Sequence, residues 1–127
     1  MALLLLDTSV LIDHLRGLAP AVGRLTAALD AGDELWSVTV VRAEILAGAR
    51  LAEEEPIARL FDLLQWVDVT PELADAAGRL AATYLRSHPG VDTVDYLVAA
   101  GAQHLDAELL TLNVRHFPMF PGLHSAF

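Results

Sequence analysis

A short apolar run that ends on an acidic residue constrains the fold of this sequence most. Residues Leu3 to Leu6 are four consecutive leucines, and Asp7 follows them directly. A continuous apolar run of this length is typical of a strand buried on both faces of a parallel sheet. Thr8 or Ser9 then offers a hydroxyl to cap a helix that continues to about Arg16. The opening therefore predicts a strand followed by a helix, with a carboxylate at the junction.

The same alternation continues to the last quarter of the chain. Strand-like apolar runs and helical patterns follow each other with Gly and Pro between them. Such alternation is typical of α/β proteins with a parallel sheet covered by helices on both faces. A length of 127 residues favours a single domain spanning 1–127. The predicted strands after the first lie at 35–38, 66–69 and 109–112, and the predicted helices after the first lie at 19–31, 39–50, 53–64, 71–87 and 92–104.

Charge and composition exclude several classes of function. The formal net charge is -9, and all eight basic residues are Arg, so the chain has no general basic surface for nucleic acid. A polyanionic substrate would have to be held by metal ions and a few local arginines. The absence of cysteine excludes disulfides and thiolate sites. No apolar run is long enough for a membrane helix, and the first one lacks a basic flank, which argues against a signal peptide. We therefore expect a cytoplasmic protein that does not enter a membrane.

The apolar fraction is larger than one small core requires. Hydrophobic residues make up 54% of the chain, and the mean hydropathy is +0.44. We expect part of this surface to be covered by a partner or a second copy. Four larger apolar side chains could contribute to such surfaces, although at least half of them are expected in the core: Trp36, Phe61, Leu64 and Trp66.

Candidate site residues occur where strands end. Asp7 and Asn113 follow the first and fourth predicted strands, and sites in parallel sheets form at the carboxyl ends of strands. Glu44 is an isolated acid in an apolar helix, although a solvated helix face is the simpler interpretation of this residue alone. Asp92 and Asp95 share one face of the last helix, where they also fit a reciprocal capping pair. His116 could approach the same region, with a role in the loop favoured.

Four segments together resemble the PIN-domain proteins, in particular the VapC-type toxins of bacterial toxin–antitoxin pairs. Each segment alone is a weak signal, but their order and the length of the chain make the resemblance specific, and it spans nearly the whole sequence. It implies a three-layer α/β/α fold with a central parallel sheet of four or five strands. The matching segments are residues 4–13 (LLLDTSVLID), 37–48 (SVTVVRAEILAG), 94–100 (VDYLVAA) and 110–117 (LTLNVRHF).

The resemblance also implies a site and a reaction. Mg²⁺ or Mn²⁺ would be held by the acids of the first three segments, which are Asp7, Glu44 and Asp95, and RNA would be hydrolysed there. The fourth segment often supplies a further acid, but Asn113 stands at that position, so a second metal is in doubt. Asp92 is a possible replacement.

The resemblance gives the neighbouring residues supporting roles. Ser9 and Thr111 would be polar groups that orient the acids, with Asn113 beside them. Arg42 and Arg115 would contact phosphate, although Arg42 fits a helix surface equally well. The implied partners are RNA, a cognate antitoxin and a second copy of the chain in a homodimer.

Two alternatives to a nuclease remain. A haloacid-dehalogenase-like phosphatase also has an Asp after its first strand, but its chemistry needs a second Asp two residues later, where this chain has Ser9. A PIN-like binding module with little or no nuclease activity, acting through its antitoxin, is kept open by Asn113. Metal-dependent RNA cleavage that requires Asp7 distinguishes the enzyme from the module.

Overall fold

The structure is a computed structural model that describes all 127 residues. It alternates strands and helices along the chain, with two single-turn 3₁₀ helices at Leu51–Glu53 and Val114–His116. No helix is both long and apolar enough to cross a membrane. The regular elements are β1 (Leu3–Leu6), α1 (Thr8–Leu15), α2 (Ala19–Asp30), β2 (Glu34–Val38), α3 (Thr39–Ala47), α4 (Glu54–Leu63), β3 (Gln65–Val67), α5 (Pro71–Tyr84), α6 (Thr93–Leu105) and β4 (Glu108–Leu110).

The four strands form one parallel sheet in the order β3-β2-β1-β4. Leu5 of β1 pairs with Trp36 of β2 on one side and with Leu109 of β4 on the other. The chain thus builds the sheet outward from β1 to β3 and then returns to add β4 on the opposite side of β1. The carboxyl ends of β1 and β4 meet at this reversal of direction, which is where α/β sheets form their binding crevices. The predicted α/β fold is confirmed, with four strands.

Both faces of the sheet are covered. Successive side chains of a strand point to opposite faces, and Leu4, Leu5 and Leu6 are all essentially inaccessible to solvent. Helix α6 packs closely on the face that carries Leu5, because Gly101 in its middle lies against Leu5 and Val38. The uninterrupted leucine run is therefore explained by burial on both sides, as the sequence predicts.

The ends of several elements differ from the predicted ones. The sequence predicts that Thr8 or Ser9 caps α1, but neither does; the cap is Asp7, whose carboxylate accepts a hydrogen bond from the Val10 N–H at 3.3 Å. Helix α3 stops at Ala47 rather than continuing to residue 50, because Arg50 and Glu53 begin a separate 3₁₀ turn. The third and fourth strands are shorter than predicted and begin one residue earlier.

Candidate active site

The Asp7 carboxylate lies at the carboxyl end of β1 and is held there from both sides. The Ser9 hydroxyl donates to its Oδ1 and the Thr111 hydroxyl donates to its Oδ2, each at 2.5 Å. The side chain is only 5% exposed, and Thr111 is fully buried. Because every neighbour donates to it, the carboxylate acts only as an acceptor, which is the arrangement of an ionised acid.

The two hydroxyls are oriented by the backbone of the segment after β4. The Leu112 N–H donates to Ser9 Oγ at 3.0 Å, and the Asn113 N–H donates to Thr111 Oγ1 at 2.9 Å. Each hydroxyl therefore accepts one hydrogen bond from the main chain and donates another to Asp7, so the bonds form a relay. This relay connects residues about a hundred positions apart in the chain, and it fixes the Asp7 rotamer before any ligand arrives.

Asp7, Glu44 and Asp95 line the same open pocket, of about 420 Å³, together with Ser9 and Asn113. Glu44 lies on α3 and is exposed, and its Oε1 accepts a hydrogen bond from the Thr8 hydroxyl. Asp95 lies in the first turn of α6 with 15% of its side chain exposed. The pocket thus collects the three acids from three different elements at the carboxyl edge of the sheet.

Asp92 and Asp95 form the predicted reciprocal cap of α6. The Asp95 N–H donates to Asp92 Oδ1 at 3.0 Å, and the Asp92 N–H donates to Asp95 Oδ2 at 3.2 Å. His116 Nδ1 lies 3.2 Å from Asp95 Oδ2, so this histidine reaches the pocket from the 3₁₀ turn that contains it. Asp92 also lines the pocket.

The environment of Asp95 disfavours its charge. Burial raises the pKa of this carboxyl from 3.8 to about 6, and the negative charge of Asp92 adds to the rise. The hydrogen bond from the Asp92 N–H and the positive charge of a protonated His116 act in the opposite direction. Because ionisation of such a carboxyl is unfavourable in the metal-free protein, a nearby cation stabilises its charged form more than that of an exposed carboxylate.

Replacing Asp95 with Asn should therefore stabilise the metal-free protein at alkaline pH. The folded pKa lies above the unfolded one, so ionisation costs stability as pH rises from about 4 to about 6, and the whole cost is present at pH 8. We expect Asp95→Asn to gain about 1 kcal/mol at pH 8, less than the full shift implies because water still reaches the side chain. At pH 4 the two proteins should be equally stable. Urea unfolding in EDTA at both pH values measures this, with the exposed Asp75→Asn on α5 as control; a gain that is the same at both pH values would contradict it.

The two arginines implied by the resemblance lie elsewhere. The Arg42 guanidinium stacks on Phe61 and Trp66, with its carbon 4.4 and 4.7 Å from the two ring centres, and Arg42 does not line the pocket. Arg115 lines a smaller hollow beside the pocket, next to Asn113. Sequence reasoning also missed two residues that do line the pocket, Asp13 in the last turn of α1 and Arg16 directly after the helix. Their spacing of four and seven residues from Ser9 on one helix face is the signal that could have placed them near Asp7.

Oxygen donors of this kind fit a hard divalent cation. Mg²⁺ and Mn²⁺ prefer carboxylate and water oxygens, and Mg²⁺ commonly keeps several waters. No three acidic or histidine side chains are close enough together to enclose an ion directly. The donor set therefore fits a cation bound by one or two carboxylates and by water, with Glu44, whose side chain is exposed, best able to adjust.

Comparison with known proteins agrees with this geometry. The PIN domain profile matches residues 4–119. The chain is 46% identical over 123 residues to ribonuclease VapC19 and 41% identical over 125 residues to ribonuclease VapC10, both of Mycobacterium tuberculosis; these alignments cover 97% and 98% of this chain and 98% and 93% of the relatives. The fold also matches a chain in the crystal structure of VapBC2 from Rickettsia felis bound to a DNA fragment from their promoter, with a TM-score of 0.79, 18% identity and 95% of each chain covered. This protein belongs to the PIN domain family.

Proposed function

We propose that the chain is a metal-dependent endoribonuclease that acts as the toxin of a type II toxin–antitoxin pair. The observation that carries this proposal is the Asp7 carboxylate, which two oriented hydroxyls hold at the reversal point of the sheet in one pocket with Glu44 and Asp95. The two mycobacterial relatives named ribonucleases support the RNA substrate. The proposed unit is one PIN-like domain spanning 1–127, located in the cytoplasm.

Asp7, Glu44 and Asp95 would hold the Mg²⁺ or Mn²⁺ ion, one or two of them directly and the rest through bound water, because no three of the acids enclose an ion. Asp92 is a possible further ligand. A divalent cation supplies a more acidic water and positive charge at the scissile phosphate. Asp7 contributes a fixed negative charge, because Ser9 and Thr111 prevent its carboxylate from rotating. Asp95 contributes a carboxylate whose ionisation a cation favours. Asn113 adds a polar but neutral group at the fourth corner.

A protein partner is part of the proposal. The Rickettsia structure is of VapBC2, which supports a cognate antitoxin for this chain. A homodimer is also proposed, because the hydrophobic fraction of 54% is larger than one small core requires. Phe61 and Leu64 are buried, whereas Trp36 and Trp66 are partly exposed in a second pocket between β2, β3, α5 and α6. Several large apolar side chains remain exposed and are available for such contacts: Leu18, Leu29, Leu46, Leu51, Leu63, Val69 and Leu85.

Cleavage of total RNA by the purified protein tests the enzyme against the binding module. We expect RNA fragments in Mg²⁺ or Mn²⁺ and none in EDTA, because a carboxylate pocket cannot approach phosphate without a cation. We also expect discrete cleavage ends when the products are mapped. Fragments that persist in EDTA would exclude this mechanism. A folded protein that leaves RNA intact in every metal but still binds an antitoxin would favour the module.

A further inference from the structure

The candidate active-site pocket is strongly acidic for a site that must receive RNA. Only two of its residues can carry positive charge, and one of them, His116, contacts Asp95. The other is Arg16. The five carboxylates that line the pocket are those of Asp7, Asp13, Glu44, Asp92 and Asp95.

Arg16 is placed at a junction between two surface hollows. It is the residue that ends α1, and it is exposed. It lines the active-site pocket and also a second groove that runs between α1 and α3, and Ile12 and Glu44 are shared by both. The groove continues past Arg50. A strand that leaves the pocket in this direction therefore passes Arg16 first.

Unlike several other charged groups on the surface, Arg16 has no partner. It forms no ion pair in spite of its acidic surroundings, whereas Arg50 and Arg59 each pair with a glutamate. Arg42 is occupied by its stacking on two aromatic rings. An unpaired guanidinium presents planar donors that match a phosphate group, whereas the five nearby carboxylates repel a polyanion.

We propose that Arg16 positions the RNA by binding a backbone phosphate that flanks the cleaved bond, with the strand leaving along the groove between α1 and α3. This inference rests on the proposed ribonuclease function. Arg16 acts here as a positioning residue, because its contact is the same before and during the reaction. Its loss should raise KM and leave kcat nearly unchanged.

The test compares Arg16→Gln with Arg79→Gln, which removes an exposed arginine from α5, and with Arg42→Gln. Affinity is measured in Mg²⁺ by anisotropy at several salt concentrations, with a short fluorescent single-stranded RNA that 2′-O-methyl groups protect from cleavage, and cleavage kinetics are measured with the unmodified RNA. We expect Arg16→Gln to bind about tenfold more weakly and to lower the slope of log K against log salt by about 0.7, the value for one phosphate contact on a single strand. Arg16→Lys should restore most of the slope. Arg79→Gln and Arg42→Gln should keep both values.

The possible failures are distinguishable. If the unsubstituted protein neither binds nor cleaves RNA, the proposed function fails and the inference fails with it. If the protein cleaves RNA but Arg16→Gln shows the affinity, salt slope and KM of Arg79→Gln, only the role of Arg16 is overturned. An equal salt slope with a reduced kcat overturns it as well. Because Arg16 and Arg79 are exposed, urea unfolding of Arg16→Gln and Arg79→Gln should match that of the unsubstituted protein, which separates these results from loss of the fold.

Discussion

Asp7→Asn should lower RNA cleavage by at least about a hundredfold while the fold survives. Asn has the same shape and keeps one oxygen, which can still accept from Ser9 and the Val10 N–H. It loses the charge that a cation needs. It also loses the second acceptor oxygen, which in the unsubstituted protein accepts a hydrogen bond from the Thr111 hydroxyl at 2.5 Å. We expect a stability cost of about 1–2 kcal/mol from the lost acceptor and the weakened helix cap. Cleavage of total RNA in Mn²⁺, together with urea unfolding, measures both effects.

Two further variants separate charge from orientation. Asp30→Asn at the exposed end of α2 removes a carboxylate far from the pocket and should cleave as the unsubstituted protein does. Thr111→Val keeps the Asp7 charge but removes one of the hydroxyls that orient it, and should lose about tenfold in cleavage. Cleavage at the unsubstituted rate by a folded Asp7→Asn would remove the carboxylate from the mechanism.

The order of elements could be predicted from the sequence because its signals are local. Four leucines before Asp7 indicate a doubly buried strand wherever they occur, and Pro71 and the Asp92–Asp95 pair mark helix starts through their own backbone chemistry. The ends of α3 and of the third and fourth strands could not be predicted as well from the sequence. They depend on the competing 3₁₀ turn that Arg50 opens and on which residues of a strand find a neighbour to pair with.

The candidate site could likewise be predicted only in part. Asp7 could be placed by its position after a strand, and Glu44, Asp95, Ser9 and Thr111 by resemblance. The hydrogen bonds that join Ser9 and Thr111 to Asp7 required knowing that β4 lies beside β1, and that order is a property of the whole sheet. Arg42 shows the converse, because its motif position suggests phosphate while its tertiary neighbours, Phe61 and Trp66, occupy its guanidinium.

Gly101→Ala should destabilise the protein, although alanine is the better helix former. A Cβ at this position would lie 2.6 Å from Val38 Cγ2 and 3.4 Å from Leu5 Cδ1. Val38 is fully buried, and its branched side chain has little freedom about χ1. We expect the overlap to cost about 1–3 kcal/mol, more than the roughly 1 kcal/mol that helix propensity returns. Gly101→Val should cost more still. Urea or thermal unfolding measures the difference.

The chain contains a matched control for this substitution. Gly78 lies inside α5, and a Cβ there would meet nothing within 4 Å, so Gly78→Ala should stabilise the protein by up to about 1 kcal/mol. Opposite signs for the two glycine-to-alanine changes would show that close packing of α6 on the sheet, and not helix propensity, decides the result. A shift of the same sign in both would contradict the close contact. Because α6 also carries Asp95 in its first turn, a displaced helix should move this carboxylate away from Asp7, so we expect Gly101→Ala to lose cleavage activity even at temperatures where it remains folded.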